Sequence, residues 1–229
     1  GCPISPTFGA TFADAPGVNG AVIRHAVTFG NDARNPNWGW QTLAHETGHI
    51  FGLPDLYSFD KPTGRYKDGI RHIGTWDVMS DQSEGQEYLA WQKRKLEWLA
   101  DEDFLVVTQG EAVATVVPIY EKRGLRAIVA PISTSQAYVV EVRAREVNPE
   151  SECGVLVYLV DLSKGAGQGP IQILPAAQDS QDPELEKRFI TLYNALYRSG
   201  VVVNDASAHL RIEITGRDGK SFKFRISHP

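Results

Sequence analysis

From Phe104 onward the apolar residues recur at every second position instead of every third or fourth, and this switch of period limits the chain to a fold that joins a helical front to a sheet-forming back. The runs Phe104 to Val107, Ala112 to Ile119, Leu125 to Ile132, Ala137 to Val142 and Val155 to Val160 are rich in β-branched residues and separated by turn formers, so each reads as a strand. The last unit reads as a hairpin, because Leu210, Ile212 and Ile214 alternate with Arg211 and Glu213, Asp218-Gly219 turns the chain, and Phe222, Phe224 and Ile226 alternate with Lys223 and Arg225. Between them, Asp182 as N-cap, Pro183, apolar Leu185, Phe189, Leu192 and Leu196, and Gly200 as stop predict one further helix.

Ahead of the switch the pattern is different. Residues 1 to 20 read as loop, Ala21 to Phe29 as a strand, and Trp38 to Phe51 as a helix closed by Gly52. Residues 54 to 87 form a loop longer than a compact domain usually tolerates without a functional reason. Tyr88, Leu89, Trp91, Leu96, Trp98 and Leu99 then fit the buried face of a second helix, with Gln92 to Lys95 pointing outwards. The expectation is an α+β chain, with a first region over 1–103 and a β-rich region with a C-terminal hairpin over 104–229.

Composition narrows the function. A chain of 229 residues with 42% apolar and 22% charged content can bury a core, and no apolar run approaches the roughly 20 residues needed to cross a bilayer. A net charge of -5 offers phosphate backbones no general attraction, and Lys93-Arg94-Lys95 reads as a solvated helix face, so neither a membrane nor a nucleic-acid partner is expected. The start at Gly1-Cys2 fits a mature or trimmed form. Cys2 and Cys153 are too few for a disulfide framework, although a single bridge would suit an oxidising compartment.

The chemistry concentrates in His45-Glu46-Thr47-Gly48-His49-Ile50-Phe51-Gly52-Leu53-Pro54-Asp55. Four residues apart on a helix, His45 and His49 project from one face and can share a Zn²⁺. Glu46 directly follows the first ligand and is placed to act as general base on a metal-activated water. Gly52 can take a positive φ and turn the chain back, which brings Asp55 within reach as a carboxylate ligand. The five-residue core of this pattern arises in about one in a hundred random orderings of the same composition, and requiring Gly52 and Asp55 as well makes coincidence more than a hundredfold rarer.

These eleven residues resemble the long zinc-binding motif of the metzincin clan, with Asp55 in the place of the usual third His. With Leu56 and Tyr57 they are similar to the immune inhibitor A-like metalloproteases, and snapalysins show a similar Asp ligand. Gly74-Thr75-Trp76-Asp77-Val78-Met79-Ser80 resembles the clan's Met-containing turn, and Met79 is the only Met in the chain. Trp91 to Leu99, Tyr138 to Arg143 and Gly154 to Tyr158 are similar to the region beyond that turn. The resemblance implies a secreted, extracellular zinc endopeptidase with a protein or peptide substrate, His45, His49 and Asp55 as ligands, Glu46 as base and Met79 as an apolar floor.

The chain departs from the clan at two places. Asp81 stands where several metzincins carry a Tyr, and only 44 residues precede His45, which predict one strand where the clan builds several. Either the chain belongs to a longer enzyme or the upstream part of the sheet is lacking, in which case Ala21 to Phe29 is the candidate edge for substrate. Two other readings stand beside this one. A thermolysin-like enzyme would take Glu84 or Glu87 as third ligand, and an inactive relative would serve as a binding module. Asp60 and Asp68 are the candidates for Ca²⁺, read first as solvated loop acids.

Overall fold

In the computed structural model, residues 8–11, 17–22, 25–28, 30–61, 64, 66–85, 87–144, 153–176 and 192–228 are described, and they form an α+β chain dominated by sheet. Four short strands come first: β1 (Phe8–Thr11), β2 (Gly17–Val18), β3 (Ala21–Val22) and β4 (His25–Thr28). The front then carries helices α1 (Gly39–Ile50), α2 (Tyr66–Gly69) and α3 (Ala90–Lys95). Strands β5 (Phe104–Val106), β6 (Gly110–Val116), β7 (Ala127–Pro131), β8 (Gln136–Ala144), β9 (Cys153–Asp161) and β10 (Ile171–Leu174) follow. The chain closes with β11 (Val202–Asp205), β12 (Leu210–Asp218) and β13 (Ser221–His228).

The back of the molecule is two packed sheets. One runs β10-β9-β8-β7-β5, antiparallel except for the parallel pair of β5 with β7, and the other runs β11-β12-β13-β6. Seven successive residues of β8, Ala137 to Arg143, are buried because both faces of its sheet are covered, which is why the strand reads as an apolar run with little alternation. The pleat divides those residues. Val139, Leu156, Tyr158 and Val160 face a core shared with Leu53, Leu56, Ile73, Met79 and Leu89, whereas Val140, Val142, Val155 and Val157 face Ile212, Ile214, Phe222 and Phe224 of the second sheet. The five-stranded sheet is therefore the middle layer, and one core draws on residues from both sides of position 103.

Charged side chains clamp the front onto that layer. Glu141 of β8 is fully buried; its Oε2 accepts from the Ala90 amide at 2.7 Å and the Tyr158 hydroxyl at 2.8 Å, and its Oε1 takes Arg143 Nη1 at 2.9 Å. Arg143 also donates to the carbonyls of Trp76 at 3.1 Å and Tyr88 at 3.4 Å. Nearby, Asp77 accepts the amides of Met79 and Leu89, each at 2.7 Å. Its burial raises the carboxyl to about 7 against those bonds and the pull of Arg143.

Several expectations need correction. Residues 1 to 20 do not read as loop throughout, since β1 pairs with β4 and β2 with β3, and the run Ala21 to Phe29 supplies two separate strands. The helix after Tyr88 is only six residues long: Glu97 takes φ 58, which breaks the period and leaves Trp98 59% exposed. On that short helix Gln92 turns inwards and is buried. The hairpin pairs Asp218 with Ser221, so Gly219-Lys220 is the turn itself. Strands β10 and β11 carry no expectation from sequence; both are four-residue strands too short for their alternation to stand out. Most of the helix expected over Asp182 to Gly200, and Cys2 as a partner for buried Cys153, lie outside the described residues.

Candidate metal centre

Helix α1 ends as its sequence predicts. Gly52 has φ 84, the Leu53 amide returns to the Gly48 carbonyl at 3.0 Å, and the Gly52 amide to that of His49 at 3.0 Å, which together make a Schellman stop. The chain then reverses under the helix, where the Leu56 amide bonds the Met79 carbonyl at 2.9 Å. This places Asp55 Oδ1 at 3.1 Å from His45 Nε2 and 3.2 Å from His49 Nε2, while the two Nε2 atoms are 3.1 Å apart.

That triangle fits a metal. Three ligands at about 2.0–2.1 Å from a tetrahedral zinc lie about 3.3–3.4 Å from one another, close to the edges found here. The tautomers agree, because His45 Nδ1 lies 2.9 Å from the Val78 carbonyl and His49 Nδ1 2.9 Å from the Leu53 carbonyl. A carbonyl only accepts, so each neutral ring donates through Nδ1 and turns the lone pair of its Nε2 towards Asp55 Oδ1, a buried atom that gains a donor there only if a ring takes up a second proton. Three acceptors in mutual contact need a proton or a cation among them. With protein groups alone, the bond to Asp55 raises the pKa of His49 against partial burial. Burial also opposes ionisation of Asp55, but its bonds to His45 and His49 prevail and hold the carboxyl well below the usual range. Either a proton or a cation is attracted, and the three residues could hold a metal ion.

The floor is Met79, fully buried, and a Cβ added at Gly48 would stand 2.7 Å from its Sδ. Glycine at that position lets the turn approach the helix between the two imidazoles. Glu46 is half-buried, and its charge adds a minor upward push to both His49 and Tyr57. Tyr57 itself was not expected at the site. Its ring stacks on His45 at 6.1 Å and 23°, and its pKa is pushed up to about 12 by burial, then by the charge of Asp55 and a hydrogen bond to it. The available signal was spacing: two residues beyond Asp55 on an extended segment lies on the same side as Asp55. Tyr57 also lines a cavity of about 330 Å³, together with Trp38, Ile70, Ser80, Gln82 and Ser83.

The rival ligands do not join. Glu84 is exposed and Glu87 is ion-paired with Lys93. Asp81 is buried and caps its own turn, accepting the Ser83 amide at 2.8 Å and that of Glu84 at 3.2 Å. Asp60 is exposed and pairs with Arg71 at 3.2 Å, whereas Asp68 is buried, not solvated, and Arg71 also reaches its carbonyl at 3.4 Å. Among the described residues no second group of three ligands lies close enough to share an ion, so the Ca²⁺ expectation finds no cluster. No helix among them is long and apolar enough to cross a membrane. No protein-family model, curated protein or solved structure matches this chain.

Proposed function

We propose that this chain is a secreted zinc-dependent endopeptidase of metzincin type, acting on protein or peptide substrates, with His45, His49 and Asp55 as ligands and Glu46 as general base. The observation that carries the proposal is the triangle of three acceptor atoms with 3.1–3.2 Å edges, and Glu46 follows the first of the three residues directly on the same helix. Zinc held there by His45, His49 and Asp55 would supply a Lewis acid able to polarise a carbonyl oxygen and to lower the pKa of water towards neutrality. The Val78 and Leu53 carbonyls keep both imidazoles in the ligating tautomer. Glu46 takes the proton from the attacking water and returns it to the leaving nitrogen. The cavity beyond Tyr57 is wide enough for one large substrate side chain, and β4 lies along α1, where an extended peptide can pair with it.

The test is zinc content by atomic emission together with casein cleavage, for wild type and Glu46→Gln. Equal zinc in both proteins with cleavage reduced about 10²–10⁴-fold in the variant is the expected result for a lost general base. Zinc in both with no cleavage by either would instead identify a metal-holding binding module.

A further inference from the structure

A second cavity, of about 130 Å³, lies on the other flank of the Asp55 loop, between Pro54, helix α3 and the segment joining β9 to β10. Its lining includes Trp91, Gln92, Lys95, Asp161 and Lys164. Gln92 is fully buried, and neither atom of its side-chain amide has a hydrogen-bond partner. An amide left so costs stability, and an apolar side chain of the same size would not, so a buried unpaired amide lining a cavity calls for something that bonds to it.

The surrounding charges say what. Asp161 is committed: one oxygen takes the Ser163 amide at 3.0 Å and the Ser163 hydroxyl, and the other takes Gln136 Nε2 at 2.9 Å. Lys164 is 4.0 Å from Asp161 and only loosely paired, and Lys95 makes no ion pair among the described residues. Two ammonium groups and one committed carboxylate leave the cavity with a surplus of donors and of positive charge. We propose that it binds a small carboxylate, which accepts from the Gln92 amide and lies between Lys95 and Lys164. The volume suits a few heavy atoms: a free small acid, or the terminal carboxylate of a peptide chain. Occupancy would also stiffen the metal loop from behind, because the Gly167 amide already bonds the Asp55 carbonyl at 3.2 Å and the Phe59 amide the Gly167 carbonyl at 3.2 Å.

The experiment titrates the whole ¹⁵N-labelled chain with sodium acetate against sodium chloride at matched ionic strength, following the Trp91 indole and the Gln92 side-chain amide. Saturable shifts in acetate alone are expected, with at least a tenfold loss of affinity in Lys95→Ala and no saturation at Trp91 in Gln92→Leu. The latter variant fills the site without the amide, so it should melt no lower than wild type while losing the rise in melting temperature that acetate gives. A tripeptide with a free C-terminus that binds while its amidated form does not would assign the site to chain ends, and acetate binding without either peptide would assign it to a free acid. Non-saturating shifts, or shifts unchanged in Gln92→Leu, would mean that ordered water alone serves the amide, and would overturn the proposal.

Discussion

At Asp55 a single backbone torsion decides the chemistry. Without φ 84 at Gly52 the loop would leave the helix in another direction, and a carboxylate, shorter in reach than an imidazole, would not arrive at 3.1 Å from His45. Tyr57 flanks that arrival, with its ring stacked on His45 and the pKa of its hydroxyl raised by burial and then by the charge of Asp55. Tyr57→Phe keeps the ring and removes the hydroxyl beside Asp55, so zinc affinity measured by chelator competition is expected to fall about 10–100-fold, the usual loss when a ligand's supporting partner is removed. An unchanged affinity would reduce Tyr57 to a wall of the cavity. Sequence displayed the candidate ligands well, because His45, His49 and Asp55, the three residues that the fold brings together, sit within one short stretch whose spacing is itself the geometry. It could not display the acceptors. Val78 and Leu53 act through their carbonyls, which every residue has, so nothing in their side chains marks the role.

Helix α1 and the turn beneath it work as one element. The turn gives His45 its acceptor at Val78 and gives the Asp55 loop its anchor at the Met79 carbonyl, so its distance from the helix tunes two ligands together. Gly48 sets that distance. In Gly48→Ala the better helix propensity contributes about 1 kcal/mol, while overpacking against Met79 costs about 1–3 kcal/mol, so the net change in stability is small or unfavourable. The separate readout is zinc affinity, expected to fall as Met79 is pushed away and carries Val78 with it. A variant both more stable and as tight for zinc would show that Met79 yields freely. Element lengths were harder to read than element types. The apolar spacing from Tyr88 to Leu99 is helical throughout, yet Ala90–Lys95 is all that forms, because packing on the β8–β9 sheet and the positive φ of Glu97 override the pattern.

Across the whole molecule the front that carries the candidate metal centre has no closed core of its own. Leu53, Leu56, Met79 and Leu89 complete their packing only against Val139, Leu156 and Tyr158, and the carbonyls of Trp76 and Tyr88 and the amide of Ala90 find partners in Arg143 and Glu141 of β8. The change of period at Phe104 was legible as a change of secondary structure; this dependence was not, because residues some fifty or more positions apart leave no local pattern when they meet. A chain ended at Asp103 keeps every ligand, Glu46 and Met79, but exposes the apolar underside of the metal loops and strands buried polar groups that β8 now serves. Such losses exceed the roughly 5–15 kcal/mol by which a domain is stable. The fragment is therefore expected to show no cooperative thermal transition and no stoichiometric zinc, by calorimetry and atomic emission. Cooperative melting with one zinc bound would mean instead that the front folds alone, and that the clamp from Glu141 and Arg143 only joins two finished units; a buried ion pair is as compatible with that role as with a stabilising one until the fragment is measured.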